Sequence, residues 1–321
     1  MNKDARLKLV RFFNFYPLKE KLMRWQYHDF NQKSHNKPFL ISTIDEKRKS
    51  QGMADRFKGI VSVYALAKAK NIDFRIIYNT PFHLQDFLQP NQYDWIPKDD
   101  DLNDSFFGTE YCILRKYPSI KRLINKLPSK KQIRVYANLD YLGEINQLFG
   151  KDYHWGTLFL ELFKPTEQLQ KEINFHLNKI GGNYVACVFR FQNLLGDFQE
   201  YRLKALSVEE RQKLIKKNKQ ALNDLLKNNP EQKILVTSDS ITFLEEVKMM
   251  QNIYTVPGKI VHVDSVKDEE YEVYQKSFLD FYLIANAQKV YSIGTEQMYP
   301  TQFPMYAAKV YNRSFERIKI D

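Results

Sequence analysis

The chain has 321 residues, 43% of them hydrophobic and 14% aromatic, with a formal net charge of +11, which argues for a folded globular protein without disorder beyond its termini and suffices for two cores of about 150 residues each. No run approaches the roughly 20 apolar residues that span a bilayer, and the opening "MNKDARLKLVRFFNFYPLKEKLMRWQ" lacks the apolar core and small-residue cleavage site of a signal peptide. The positive charge favours anionic partners, but it is spread along the whole chain without a nucleic-acid module signature, which argues against nucleic acid and keeps a phosphorylated small molecule or an anionic membrane face.

In chain order, the first segment sets Lys8, Arg11, Lys19, Lys21 and Arg24 among Phe12, Phe13, Phe15, Tyr16 and Trp25. It reads either as a helix packed on its own domain or as a peripheral membrane contact. "KPFLIST" (37–43) predicts a buried strand, "ADRFKGIVSVYALAKAK" a helix with Phe57, Ile60, Val61, Tyr64 and Ala67 on one face, and "DFRIIYN" a second strand. This is a βαβ unit, with the helix start at the carboxyl end of the first strand, where open α/β sheets bind ligands. Gly52 is expected to permit a tight turn into the helix, with Asp55 and Arg56 facing the crevice and Asp55 orienting the arginine; a helix cap with a local ion pair is the plainer reading.

Residues 81–165 are less regular, with an exposed loop at "IPKDDDLNDS" and a strand in "KQIRVYANLD". A break at Pro165, a capping Thr166, Glu167 in the first turn and Gly181–Gly182 at the end predict a helix and a domain boundary, giving domains 1–165 and 166–321. The second half alternates cleanly: strand "YVACVFRF", helix "VEERQKLIKKNKQALNDLLKNN", strand "KILVTS", helix "ITFLEEVKMM", strand "NIYTVP", helix "EVYQKSFLDFYLIANA", strand "KVYSIG", a short helix reaching "YAAK", and a last strand at "KVYN". The alternation implies a parallel doubly wound sheet. Cys112 and Cys187, distant from each other in apolar runs, suit buried reduced thiols of a cytosolic protein.

Four stretches in order, "GMADRFKGIVSVYALAKAKNIDF", "VACVFRFQNLLGDF", "SFLDFYLIANAQKVYSIG" and "MYPTQFPMYAAK", resemble motifs of the GDP-fucose-dependent fucosyltransferase superfamily, in its bacterial members. The resemblance implies a GT-B-like α/β fold, two facing Rossmann-like domains with parallel sheets and a donor cleft between them, the first on the acceptor side and the second for the nucleotide sugar. It assigns Arg190 to the donor diphosphate, where a guanidinium forks onto the charge that grows as the sugar departs, with a surface arginine in an ion pair as the alternative. It assigns Asp280 to guanine N–H donors, with an N-terminal helix charge or cap as the alternative, and Thr301, Gln302 and Phe303 to a small-polar, polar, Phe pattern near a phosphate at a helix start, with a helix N-cap as the alternative for Thr301. Gly52 and Arg56 would then approach the diphosphate. The sequence departs from the family pattern at Val188 and Asn193, where a His and an Asp are expected; the nearest acids are Asp197 and Glu200. Asp239, in "VTSDS" at a strand end, is either a donor contact or part of a helix cap.

For the catalytic base the candidates are Asp55, Asp197 and Glu200. The histidines at 28, 35, 83, 154, 176 and 262 show no metal-ligand spacing, so the expected reaction uses no metal and no cofactor, with the GDP-sugar as donor substrate. The expected function is inverting transfer of a sugar, fucose, from GDP-fucose or a related GDP-sugar to a hydroxyl of a glycan acceptor, lipid-linked or free. The setting would be cytoplasmic surface-polysaccharide synthesis, at the inner face of the membrane. The alternatives are a transferase for another nucleotide sugar and a non-catalytic nucleotide- or glycan-binding protein.

Overall fold

The computed structural model describes residues 16–31, 38–48, 51–98, 101–102, 104–115, 119–127, 129–197, 204–228, 230–258, 260 and 271–321. The chain divides into two compact units, one of residues 1–80 and 90–162, the other of residues 81–89 and 163–321. Each holds one all-parallel sheet.

In the first unit, helix α1 (Tyr16–Tyr27) precedes β1 (Phe39–Ile44), α2 (Met53–Lys70) and β2 (Asp73–Tyr78). β3 (Leu88–Pro90) comes next in the chain but lies mostly in the second unit; the first continues with β4 (Thr109–Ile113), the single turn α3 (Lys121–Ile124), β5 (Gln132–Tyr136), α4 (Leu142–Phe149) and α5 (Trp155–Leu162). The sheet order is β2-β1-β5-β4. β1 is buried along its whole length, whereas the edge strand β2 alternates buried and exposed positions, as expected of central and edge strands. α2 is buried over most of its length and ends on Asn71 in the left-handed conformation (φ 52°), whose N–H returns to Ala67 and Lys68 carbonyls. The close approach belongs to Gly59: a Cβ there would stand 2.0 Å from the carbonyl oxygen of Ala137, just past β5. α1 packs Tyr16 and Met23 against Tyr111, Ile113 and Tyr136, and the buried Glu20 accepts from the Ile113 amide (2.6 Å) and from both terminal nitrogens of Arg122. Its other face exposes Leu18, Leu22 and Trp25, the last by 67%.

The second unit begins with segment 81–89 and β6 (Phe163–Pro165), which pairs with β3. α6 (Glu167–Ile180), β7 (Tyr184–Phe189), α7 (Val208–Asn228), β8 (Lys233–Ser238) and α8 (Ile241–Val247) come next. β9 (Ile253–Tyr254), α9 (Tyr271–Asn286), β10 (Lys289–Gly294), α10 (Phe303–Val310) and β11 (Ser314–Lys319) complete it. The sheet order is β11-β10-β7-β8-β9, all parallel. Thr166 caps α6 by accepting from the Leu169 amide. Phe87, fully buried, stacks on Tyr271 (4.6 Å) and Phe278 (4.3 Å), and Phe82 meets Tyr274 at 4.9 Å, so a segment early in the sequence fills this core.

The doubly wound parallel order expected from the alternation is present. Three expectations need correction. The stretch 96–105 is not simply an exposed loop: Asp101 is buried on Arg75 at 2.8 Å, and Ser105 is buried. The last strand is not "KVYN": Lys309 and Val310 finish α10, the chain turns through Asn312 (φ 52°), and the strand is Ser314–Lys319. That strand is a polar, largely exposed edge, which carries no apolar run to announce it. Within the irregular stretch 81–130 lies a strand, β4, whose Tyr111, Cys112 and Ile113 are buried. Both cysteines are buried and unpaired with each other.

Candidate active site

In the second sheet β7 lies between β10 and β8. The chain leaving β7 runs through α7 to β8 on one side, while that leaving β10 runs through α10 to β11 on the other. Such a reversal opens a crevice at the carboxyl ends of the two strands, the usual ligand position of an open α/β sheet. Arg190, the first residue past β7, stands there with its side chain 19% exposed, and its Nη1 lies 3.0 Å from Oδ2 of Asp239, the first residue past β8. Asp239 is 6% exposed and also accepts from the amides of Phe191 (2.8 Å) and Gln192 (2.7 Å). It thereby holds Gln192 in the left-handed region (φ 53°). Burial pushes the Asp239 carboxyl above its ordinary value, opposed by the Arg190 guanidinium and the two amides. The Arg190 carbonyl accepts from the Tyr299 amide at 3.3 Å, which brings the loop after β10 to the same place.

In that loop the Thr301 hydroxyl accepts from the Phe303 amide (3.2 Å), and Arg317 of β11 donates to the Pro300 and Thr301 carbonyls. Gln302 is the exposed N-cap of α10 with no side-chain cap bond, and the Phe303 ring meets Phe281 edge-on at 5.5 Å. Arg190, Asp239 and Thr301 are therefore neighbours through main-chain links. Asp197 bonds to the residues just after Asp239: its Oδ2 accepts from the Ser240 hydroxyl (2.8 Å) and the Thr242 amide (2.7 Å), closing the start of α8. Glu200 lies outside the described residues.

Asp280 has the partner that a carboxylate in an apolar helix requires. Lys276, one turn earlier on α9, brings its Nζ to 2.8 Å from both oxygens. Burial raises the Asp280 carboxyl and Lys276 opposes that rise. A carboxylate offers about four acceptor directions, so Lys276 leaves room for further donors. The sequence reading missed Lys276, although its i, i+4 spacing is a readable signal.

The Asp55–Arg56 pair of the first unit is not built as expected. Asp55 meets Lys58 at 2.5 Å. Arg56 is buried and donates from Nε to the Gln51 carbonyl (2.6 Å) and from Nη1 to the Tyr78 hydroxyl and the Thr80 carbonyl, both at 2.8 Å. Three oxygens hold it, so an orienting role for Asp55 is not needed. Gly52 makes no tight turn either: its φ is −53°, open to any residue, and a Cβ there would meet nothing within 4 Å. Arg56 does line a crevice at the carboxyl ends of β1 and β5, together with Arg48, Arg115, Gln51, Thr43, Tyr136 and Asn138. Among the described residues no group of three or more His, Cys, Asp or Glu side chains is placed to hold a metal ion.

No family model matches the sequence, and no curated protein is similar enough to match it. Solved structures are similar in fold. A variant of Arabidopsis thaliana FUT1 in complex with GDP is 15% identical, over 95% of this chain and 75% of that one, with a TM-score of 0.56. The NodZ alpha-1,6-fucosyltransferase soaked with GDP-fucose is 13% identical over 87% and 93%, with a TM-score of 0.51, and POFUT1 in complex with GDP is 8% identical over 89% and 98%, with a TM-score of 0.52. This chain has the fold of those fucosyltransferases, two Rossmann-like α/β units of the GT-B type.

Proposed function

We propose that the chain is a fucosyltransferase that moves fucose from GDP-fucose to a hydroxyl of a glycan acceptor, inverting the anomeric centre without a metal. The observation that carries the reading is Arg190 at the reversal point of the second sheet, in a fold shared with proteins solved with GDP and GDP-fucose. In the reaction the bond between the sugar carbon and the diphosphate oxygen breaks, and a bond from the acceptor oxygen forms on the opposite face. The acceptor proton passes to a carboxylate or to water, and GDP leaves with the bonding pair. Arg190 stabilises that departing charge, Asp239 holds the guanidinium in place, and Thr301, Gln302 and Phe303 border the phosphates. Asp280 accepts from guanine beside Lys276. Asp55, Asp197 and Glu200 are the carboxylates on which a base role is tested, and Gly52 and Arg56 are the first unit's candidates for the donor diphosphate.

The setting we infer is surface-polysaccharide synthesis in a bacterial cytoplasm, with α1 resting on the inner membrane face. Leu18, Leu22 and Trp25 form an exposed stripe beside Lys19 and Lys21, a pattern that suits an anionic lipid surface. Sedimentation with anionic but not zwitterionic vesicles, lost in Trp25→Ser, supports the contact; equal sedimentation of that variant counts against it.

Calorimetric titration with GDP, GDP-fucose, GDP-mannose and UDP-glucose, without added metal, tests the function. Preference for GDP and GDP-fucose that weakens in Asp280→Ala is expected. Equal affinity for UDP-glucose favours a second reading, transfer from another nucleotide sugar, for which Val188 and Asn193 at the departed family positions speak. GDP binding without hydrolysis or transfer favours a non-catalytic binding protein.

A further inference from the structure

We infer that Lys276 is a positioning residue of the nucleotide site: it holds Asp280 as an ionised, fixed acceptor, and through it makes the site select a base that offers N–H donors. The inference rests on the reading of Asp280 as the guanine contact.

The pair is enclosed by the elements around it. Lys276 and Asp280 stand one turn apart on α9, with side chains 5% and 13% exposed. The ammonium lies 2.8 Å from each carboxylate oxygen, and among the described residues no other group donates to them. The loop past β9 is shaped to the lysine: Gly258 takes φ 130°, and a Cβ there would stand 3.0 Å from Cδ of Lys276. A buried ion pair is weak ground for stability, since apolar residues of similar volume often serve the fold as well. What this pair does supply is an acceptor. Each oxygen keeps a lone pair free beside the ammonium.

Lys276 decides which form of the carboxyl meets the base. Burial raises Asp280, and Lys276 is the main group opposing that rise, followed by His176 of α6. His176 is buried with its Nδ1 2.6 Å from the Tyr254 hydroxyl of β9. Burial lowers it, Lys179 and Lys276 lower it further, and Glu172 and Asp280 act against them, so the imidazole is neutral at pH 7. The other elements against α9, namely α10, β8 and segment 81–89, bring no further charge to Asp280. Without the lysine the carboxyl keeps a proton to higher pH. An ionised carboxylate only accepts, which suits the adjacent N1–H and N2–H of guanine and refuses the bare N1 of adenine. A protonated carboxyl donates as well, so it loses one guanine contact and gains one to adenine.

The test is calorimetry with GDP and ADP on the whole chain from about pH 5.5 to about pH 8.5. The two nucleotides carry the same diphosphate, so the ratio of their affinities cancels its titration. The wild type should favour GDP by about tenfold or more, as loss of a charge-assisted contact implies, with a ratio constant across the range. In Lys276→Met the ratio should drop as pH falls, by up to about tenfold per pH unit below the raised carboxyl value, and should do so equally with His176→Gln added. Lys276→Met combined with Asp280→Leu removes both charges and should bind the two nucleotides alike at every pH. A Lys276→Met protein with the wild-type ratio throughout overturns the proposal, even if both affinities are weaker, because the lysine then only supports the fold. Should that variant not fold, two other results overturn it: a wild-type ratio that itself drops about tenfold per pH unit, or a double variant that still prefers GDP. In all these cases GDP binds and the fucosyltransferase reading survives. A wild-type chain that binds no GDP at any pH ends both.

Discussion

Replacing Asp239 by Asn removes one charge without changing shape, and the geometry fixes what is lost. Oδ1 accepts from the Phe191 amide, and Oδ2 accepts from the Gln192 amide and from Arg190. An asparagine supplies one oxygen for these donors and turns an NH2 group toward the rest. Breaking one side of a buried ion pair costs about 3 to 5 kcal/mol; with Arg190 19% exposed, the lower figure applies. Arg190→Ala leaves the Asp239 carboxylate buried on two amides and costs about the same. The double variant removes the pair together, so its cost should be about 3 kcal/mol less than the sum, the upper end of measured couplings. Urea denaturation at pH 7 of the four proteins measures this. A further sign is predicted. In Arg190→Ala the folded state favours the protonated Asp239, whose carboxyl burial already raises. Stability should therefore fall as pH rises above the ordinary carboxylate value, and this slope should vanish in the double variant. Turnover assayed where each variant is folded should drop by about 3 kcal/mol of transition-state stabilisation in Arg190→Ala. Stability costs that add to within about 0.5 kcal/mol would refute the coupling, and with it the view that Asp239 positions the arginine.

The two glycines of the first unit should behave oppositely. Gly59→Ala drives a methyl into the Ala137 carbonyl and should cost about 3 kcal/mol or more, read as a fall in melting temperature, whereas Gly52→Ala should be neutral or up to about 1 kcal/mol stabilising. His28, buried against Tyr111 (2.9 Å) and the Asp104 carbonyl (3.1 Å), is lowered to about 4, chiefly by burial with help from Arg134. The unfolded chain takes up a proton that the folded one refuses, so stability should fall as pH drops from about 6.5 towards 4, by up to about 3 kcal/mol; denaturation of His28→Gln across that range should give a flatter profile. Phe87→Ala should cost about 3 to 5 kcal/mol, and a change below 1 kcal/mol in denaturant midpoint would contradict its packing between Tyr271 and Phe278.

What the sequence disclosed follows burial. β1, β7 and β8 lie inside their sheets, so both of their faces are buried and they stand out by their apolar stretches, "FLI", "YVACVF" and "ILV". β11 is wet, and nothing in "SFERIK" distinguishes it from a loop. The site was legible where a residue follows a strand directly, as Arg190 and Asp239 do. It was illegible where partners come from separate loops: Arg48 and Arg115 approach one crevice only because the first sheet sets β1 beside β5 and β5 beside β4, pairing Leu40 with Ile133 and Ile113 with Tyr136, and no local spacing encodes that register. At the helix start the residue types were read correctly as special, but the roles were exchanged. Asp55 has Lys58, one helical turn along, within reach, and the steric demand falls on Gly59, which faces the strand end.

Segment 81–89 leaves the ribosome long before Tyr271, Tyr274 and Phe278, the side chains it packs against. At ordinary elongation rates the delay is roughly 10 to 40 s, during which Phe82 and Phe87 have no native shelter and are natural handles for a chaperone. The same order sets a rule for cutting the gene. A fragment that starts at residue 163 encodes every strand of the second sheet but omits part of that unit's own interior, and its recovery as a folded species should depend on adding back a peptide of residues 81–89.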